Sequence, residues 1–163
     1  GLVEKGSKRG TSNIGVLHSG AATNVVAERA TLRAEARGHD TVFRNRIVRA
    51  IEKAFEKAVN RVKSASGRKG TVSISKRLDY EAFRLNKNDL SVKTAHNVLE
   101  ALGHTPYYDI SNGGLDANWM AANGIPTVTL GCGQHDIHTT NEWLDLKTYK
   151  VACRTAIMLA TMD

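Results

Sequence analysis

Apolar residues recur along this chain with two different periods, and the change of period from one segment to the next predicts its elements. In ATLRAEAR, residues 30–37, Leu32, Ala34 and Ala36 share one parity, and Thr31, Arg33, Glu35 and Arg37 share the other. A period of two predicts a half-buried strand. TVSISKRL, residues 71–78, repeats the alternation, and Ser12 to His18 predicts an earlier strand. Between them Phe43, Ile47, Ile51, Phe55, Ala58 and Val62 recur every three or four positions, the spacing of one face of an amphipathic helix. The opening GLVEKGSKRGTSNIG reads as the tail of a helix leading through a polar turn into a strand.

From about residue 84 the pattern changes. Asp89 or Asn88 can cap a helix whose inner face is Leu90, Val92, Ala95, Val98, Leu99 and Leu102, and Gly103 ends it in the left-handed conformation. A strand-like TPYYDI follows at 105–110. Gly113 and Gly114 then open a short helix, Gly124 closes it, and Pro126 to Leu130 reads as a buried strand. A last amphipathic helix, Leu146 to Met162, presents Tyr149, Val151, Ala152, Ile157 and Leu159. The first 83 residues therefore run strand, strand, helix, strand, three-quarters of a split βαβ unit of the ferredoxin kind. The rest alternates helices with short apolar strands, as in an α/β layer. An unfinished unit and the lack of an initiator methionine make a piece of a longer protein the expectation.

Composition narrows the function classes. With 163 residues, 41% hydrophobic and 24% charged, the chain can fill a core, and extensive disorder is not expected. No apolar run approaches the roughly 18 residues of a membrane helix and no signal peptide is visible, so cytoplasm is the expected location and no membrane partner is expected. Cys132 and Cys153 lack CxxC spacing and read as buried or idle thiols. Much of the net charge of +7 lies on the polar face of the 41–62 helix, at Arg44, Arg46, Arg49, Lys53, Lys57 and Arg61. Such a stripe fits phosphates or a solvated outer face. Without an aromatic stacking platform or a recognised motif, no nucleic-acid partner is expected.

Candidate chemistry concentrates in GCGQHDIHTTNEW, residues 131–143, where His135, Asp136, His138 and Glu142 follow a glycine-rich turn. A catalytic zinc takes three protein ligands and keeps one position open for water. His135 and His138 lie three apart in a loop rather than in a helical HExxH, and fit either a metal or an exposed structural pair. Glu142 can equally interact with the positive end of the final helix. Ser12 and Ser111 lie outside any GxSxG elbow. Gly113 and Gly114 can offer amides to an anion or simply form a tight turn.

Taken together, NGGLDANWMAANGIPTVTLGCGQHDIHTTNEWLDL closely resembles the closing segment of dinuclear zinc exopeptidases of the peptidase T, carboxypeptidase G and succinyl-diaminopimelate desuccinylase group. GGxDAN, a GIPT strand and an HTTxE loop occur there in that order. SNIGVLHSGAATNVVAERATLRAEAR is similar to the same family's lid or dimerisation domain. The resemblance covers nearly the whole chain and is nearest to the peptidase T-like branch. It implies an α/β fold, with a partial ferredoxin-like (split βαβ) lid lobe over 1–83 and the C-terminal part of an α/β zinc-peptidase catalytic domain over 84–163.

By the same resemblance, His138 matches a zinc-ligating histidine, and the position of His135 is not a ligand. Asn24 and Arg37 match polar groups that reach the substrate, the planar fork of the arginine suiting a terminal carboxylate. Gly113, Gly114 and Asp116 match the turn lining the substrate cleft. In that family a metal-bridging water, deprotonated by a glutamate, attacks a peptide carbonyl. The family's HxD motif, bridging aspartate, catalytic glutamate and adjacent acidic ligand have no counterpart here, so the chain is expected to hold no catalytic residue. It should be inactive alone and should not retain the two zinc ions of an intact parent. A short peptide is the substrate implied for the parent, and a homodimer through the lid lobe the implied assembly. A non-catalytic association module, pairing through an open strand edge, is the alternative.

Overall fold

The alternation near the start is realised as a three-stranded antiparallel sheet in a computed structural model that describes residues 1–111 and 113–162. Strands β1 (Leu2–Lys5), β2 (Lys8–Ser19) and β3 (Ala30–Gly38) are paired in that order. The opening residues are thus a strand, not the tail of a helix. Lys5 pairs with Lys8 across a two-residue turn in which Gly6 has φ +61°, the backbone that lets a hairpin reverse so tightly. β2 slips register between Ile14 and Val16, leaving an irregularity at Gly15.

Helix α1 (Thr41–Arg61) packs on β2 and β3. Asp40 starts it, accepting from Phe43 N at 2.6 Å while its other oxygen takes Lys8 Nζ at 2.7 Å. Phe43 and Ile47 are the buried part of the apolar stripe. Ile51 and Phe55 are half-buried, and Ala58 and Val62 are exposed. The helix meets the sheet at Gly10, where a Cβ would stand 2.6 Å from Arg37 O and 2.7 Å from Ile47 Cδ1. Only glycine permits that approach.

Residues 71–78, expected as a strand, carry no ladder. Alternation says which residues of an extended segment share a face, whereas a strand also needs a neighbouring backbone to pair with. This stretch and the residues that follow it to 82 are instead tied to α1 by side chains. Lys76 Nζ lies 2.5 Å from Glu52, and Arg44 grips Glu81 at 2.6 and 3.2 Å.

The chain divides into two compact units, Gly1–Ala82 and the residues from Phe83 onward. The second contains α2 (Leu90–Ala101), α3 (Asp116–Ala122), the two-residue strands β4 (Gln134–His135) and β5 (Trp143–Leu144), and α4 (Leu146–Thr161). Gly103 and Gly124, at φ +80° and +76°, close α2 and α3. The buried residues are Val92, Ala95 and Val98 of α2, Ala117 and Asn118 of α3, and Thr155 of α4. Leu90, expected inside, is 81% exposed at the first position of its helix. On α4, Thr155 occupies the place expected for Ile157. Ile157 lies two residues further round the helix and faces out, while the buried hydroxyl of Thr155 is satisfied by Val151 O at 2.9 Å.

Residues 105–110 and 126–130 also lack the expected ladders, and Leu130 is exposed. Their apolar runs report segments that can be covered, not partners that are present. Both cysteines are free, and Cys153 is exposed rather than buried. Among the described residues no helix is long and apolar enough to cross a membrane.

Candidate functional site

The histidine loop is a short hairpin whose tip is built from side-chain hydrogen bonds. Gln134 pairs with Leu144 and His135 with Trp143, and Asp145 N donates to Gly133 O at 2.8 Å. Gly133 is at φ +86°, and a Cβ there would meet Asp145 O and Thr148 Cβ at 2.9 Å. Asp145 then caps α4, accepting from Lys147 N at 2.9 Å and from Thr148 Oγ1 at 2.8 Å. The Thr148 hydroxyl, followed by the Lys147 amide, holds the Asp145 carboxyl below the usual carboxylate range.

Within the tip, Thr139 binds Asp136 O through both its amide (3.1 Å) and its hydroxyl (2.7 Å), and that hydroxyl accepts from Asn141 N at 3.1 Å. Glu142 does not act on the final helix. Its carboxylate reaches back to accept from His138 N at 3.1 Å and from Gln134 Nε2 at 3.4 Å. Asp136 and His138 adopt φ +51° and +68°. A left-handed backbone is uncommon for residues with a Cβ and persists where the surroundings enforce it. Here the Glu142 brace enforces it, and it leaves His138 exposed to solvent.

His135 differs from His138 in its surroundings. Its ring stacks on Trp143 with centroids 4.1 Å apart and planes 11° from parallel. Both imidazoles of the loop are exposed, and that of His135 is also stacked on an indole. Among the described residues, no three His, Cys, Asp or Glu side chains are placed to share a cation. The residues present do not by themselves fit a zinc ion, and His138 is a single donor.

The other expected site residues fall in both units. Asn24 is exposed in the turn between β2 and β3. Arg37, near the end of β3, gives Nη2 to Glu35 Oε2 at 2.9 Å, so its fork is already engaged by a carboxylate of its own strand. That hydrogen bond is the main reason its charge is held more firmly still. Gly113 and Gly114 are exposed ahead of α3, and Asp116 is the first residue of that helix. The Gly113 amide donates to Ser111 Oγ at 3.1 Å and the Leu115 amide to Asn118 Oδ1 at 3.0 Å. Of the glycine pair, the Gly113 amide is thus used within the turn. Sequence reasoning missed the roles of Glu142 and Asp145. Asp145 directly before the periodic run of α4 carries an N-cap signal, and the signal for Glu142 is only its spacing of four from His138.

Comparison with known proteins matches this architecture. The sequence profile described as Peptidase family M20/M25/M40 matches residues 3–161, and the chain belongs to that family. It is similar to an aminopeptidase PepT from Bacillus cereus ATCC 10987, with 30% identity and a TM-score of 0.65 over 94% of this chain and 39% of that one. It is also similar to a tripeptidase from Staphylococcus aureus subsp. aureus Mu50, with 35% identity and a TM-score of 0.70 over 92% of this chain and 39% of that one. YqjE of Bacillus subtilis (strain 168), an uncharacterized protein, is 32% identical over 137 residues, 84% of this chain and 35% of its own length. The chain thus spans little more than a third of each of these relatives.

Proposed function

We propose that the chain supplies most of the lid and the end of the catalytic domain of a zinc-dependent exopeptidase acting on short peptides. The observation that carries this reading is His138, exposed on a left-handed turn braced by Glu142, in a chain whose family match runs from residue 3 to 161. The names of the two solved relatives, an aminopeptidase and a tripeptidase, support the substrate class. His138 serves as one metal donor. Asn24 and Arg37 meet the peptide, and Gly113, Gly114 and Asp116 line its cleft. Arg37 must exchange Glu35 for the terminal carboxylate of the substrate, a change its rigid fork makes without loss of geometry. Association into a homodimer through the lid lobe belongs to the same proposal.

The test joins this chain to the portion of the S. aureus tripeptidase that it does not cover. The chimera should release amino acids from a tripeptide in a zinc-dependent manner, and His138→Ala should lower kcat/KM about 100-fold or more. The unjoined chain should show no turnover with zinc. A chimera indifferent to His138→Ala overturns the donor assignment, and turnover by the chain alone overturns the reading of inactivity.

A further inference from the structure

Outside the histidine loop, side chains of α2 and of the segment after it form a cluster of an acid, an imidazole and a phenol. On one side His96 Nε2 makes an ion-pair contact with Glu100 Oε1 at 3.3 Å, four residues further along α2. On the other side its Nδ1 is 2.9 Å from the Tyr108 hydroxyl. In the tautomer that carries hydrogen on the Nε2 facing Glu100, the Nδ1 lone pair is left to accept from the phenol. The two rings are 3° from parallel. Lys87 Nζ sits 4.6 Å from the centre of the Tyr108 ring, a cation beside any negative charge that develops there. An imidazole at hydrogen-bonding distance from a hydroxyl, with an acid beside it, is the arrangement that can activate a nucleophile. Tyr108 is 45% exposed, so a reagent can reach it.

We infer that Tyr108 is a site of covalent acylation, with activated acyl esters as the donor class. The phenol oxygen attacks the acyl carbon while its proton passes to His96 Nδ1. The ester C–O bond breaks, the leaving alkoxide or phenoxide departs, and imidazolium returns its proton to solvent. The product is an O-acyl tyrosine. No oxidant or metal enters the balance, and the inference is independent of the peptidase reading.

The neighbouring Tyr107, 87% exposed, is an internal reference. The full chain is treated with p-nitrophenyl acetate, and acetylation at each tyrosine is followed by peptide mass spectrometry. Tyr108 should react about 100-fold faster than Tyr107 or more, the lower end of what a positioned base contributes. His96→Gln should bring the two rates together. Glu100→Gln, which keeps an acceptor for Nε2–H, should preserve the preference, and Glu100→Leu should lose it. Because the readout is a ratio within one molecule, general loosening of the fold cannot mimic the loss from Glu100→Leu together with retention in Glu100→Gln. Reaction that follows exposure, with Tyr107 the faster, overturns the inference. So does a Tyr108 preference that survives His96→Gln, or acetyl recovered on His96 instead.

Discussion

In the first unit a 21-residue helix lies on a sheet whose backbone it touches at Gly10; in the second, helices pack through Val92, Ala95, Val98 and Thr155, and a polar loop holds its shape by side chains. The difference lies in where tolerance to change resides. A ladder fixes backbone positions whatever the outward side chains are, so the sheet depends on one place where nothing larger than hydrogen fits. A loop braced by Glu142, Thr139 and Asp145 depends on particular functional groups, and can hold a backbone that no ladder would impose.

Substitution at the helix–sheet contact should separate the two units most sharply. Gly10→Val places atoms against Arg37 O, which belongs to backbone and cannot rotate away. A loss of roughly 3 kcal/mol is expected in chemical denaturation, with amide exchange rising in residues 2–61 rather than in 90–161. Val98→Ala, at a side chain 1% exposed, should cost about 2 kcal/mol and raise exchange in α2 and α4. If both variants raised exchange uniformly, the two units would not be separable.

A smaller effect is expected from the aspartate caps, one in each unit. Asp40 and Asp145 each start a helix. Lys8 is the main cause holding the Asp40 carboxyl below its ordinary value, and Thr148 plays that part for Asp145. With folded pKa values depressed, their contribution is fully present above the ordinary carboxylate value, roughly 3.9. It is lost as pH falls through the folded value. Melting temperatures of Asp40→Ala and Asp145→Ala should therefore fall below wild type near pH 6 and converge with it toward pH 2. A constant gap down to that pH would contradict the sign.

Smallest of all should be His138→Gly. Glycine adopts φ +68° without strain, so stability should stay level or rise by up to about 1 kcal/mol. If that residue instead contributed several kcal/mol, it would be there for the fold rather than for a ligand.

How much of this was legible follows from what each pattern encodes. The stripe through Phe43 and Ile47 and the alternation of Leu32 and Ala36 located α1 and β3, because the helix packs on the sheet there, burying Phe43 and Ile47 and half-burying Leu32 and Ala36, while Ala34, expected inside, is exposed. Gly103 and Gly124 marked the ends of α2 and α3, since a left-handed residue has few alternatives. β1 went unread because Leu2–Lys5 is four residues at a sheet edge, with Val3 its one half-buried position. The strands expected at 71–78, 105–110 and 126–130 failed for want of a neighbour, a property of the whole assembly and not of the segment. At the loop, the residue types were visible, but the bond from His138 N to Glu142 was not. It depends on a backbone turn that neither period describes.

The ties between α1 and the extended stretch 71–82 are partly ionic, Lys76 with Glu52 and Arg44 with Glu81. Their reach shortens as ionic strength rises, since the screening length falls from about 10 Å at 0.1 M to about 3 Å at 1 M. In concentrated salt this stretch should loosen first, exposing Lys76 and Arg77 to trypsin while the hairpin of β1 and β2 stays intact.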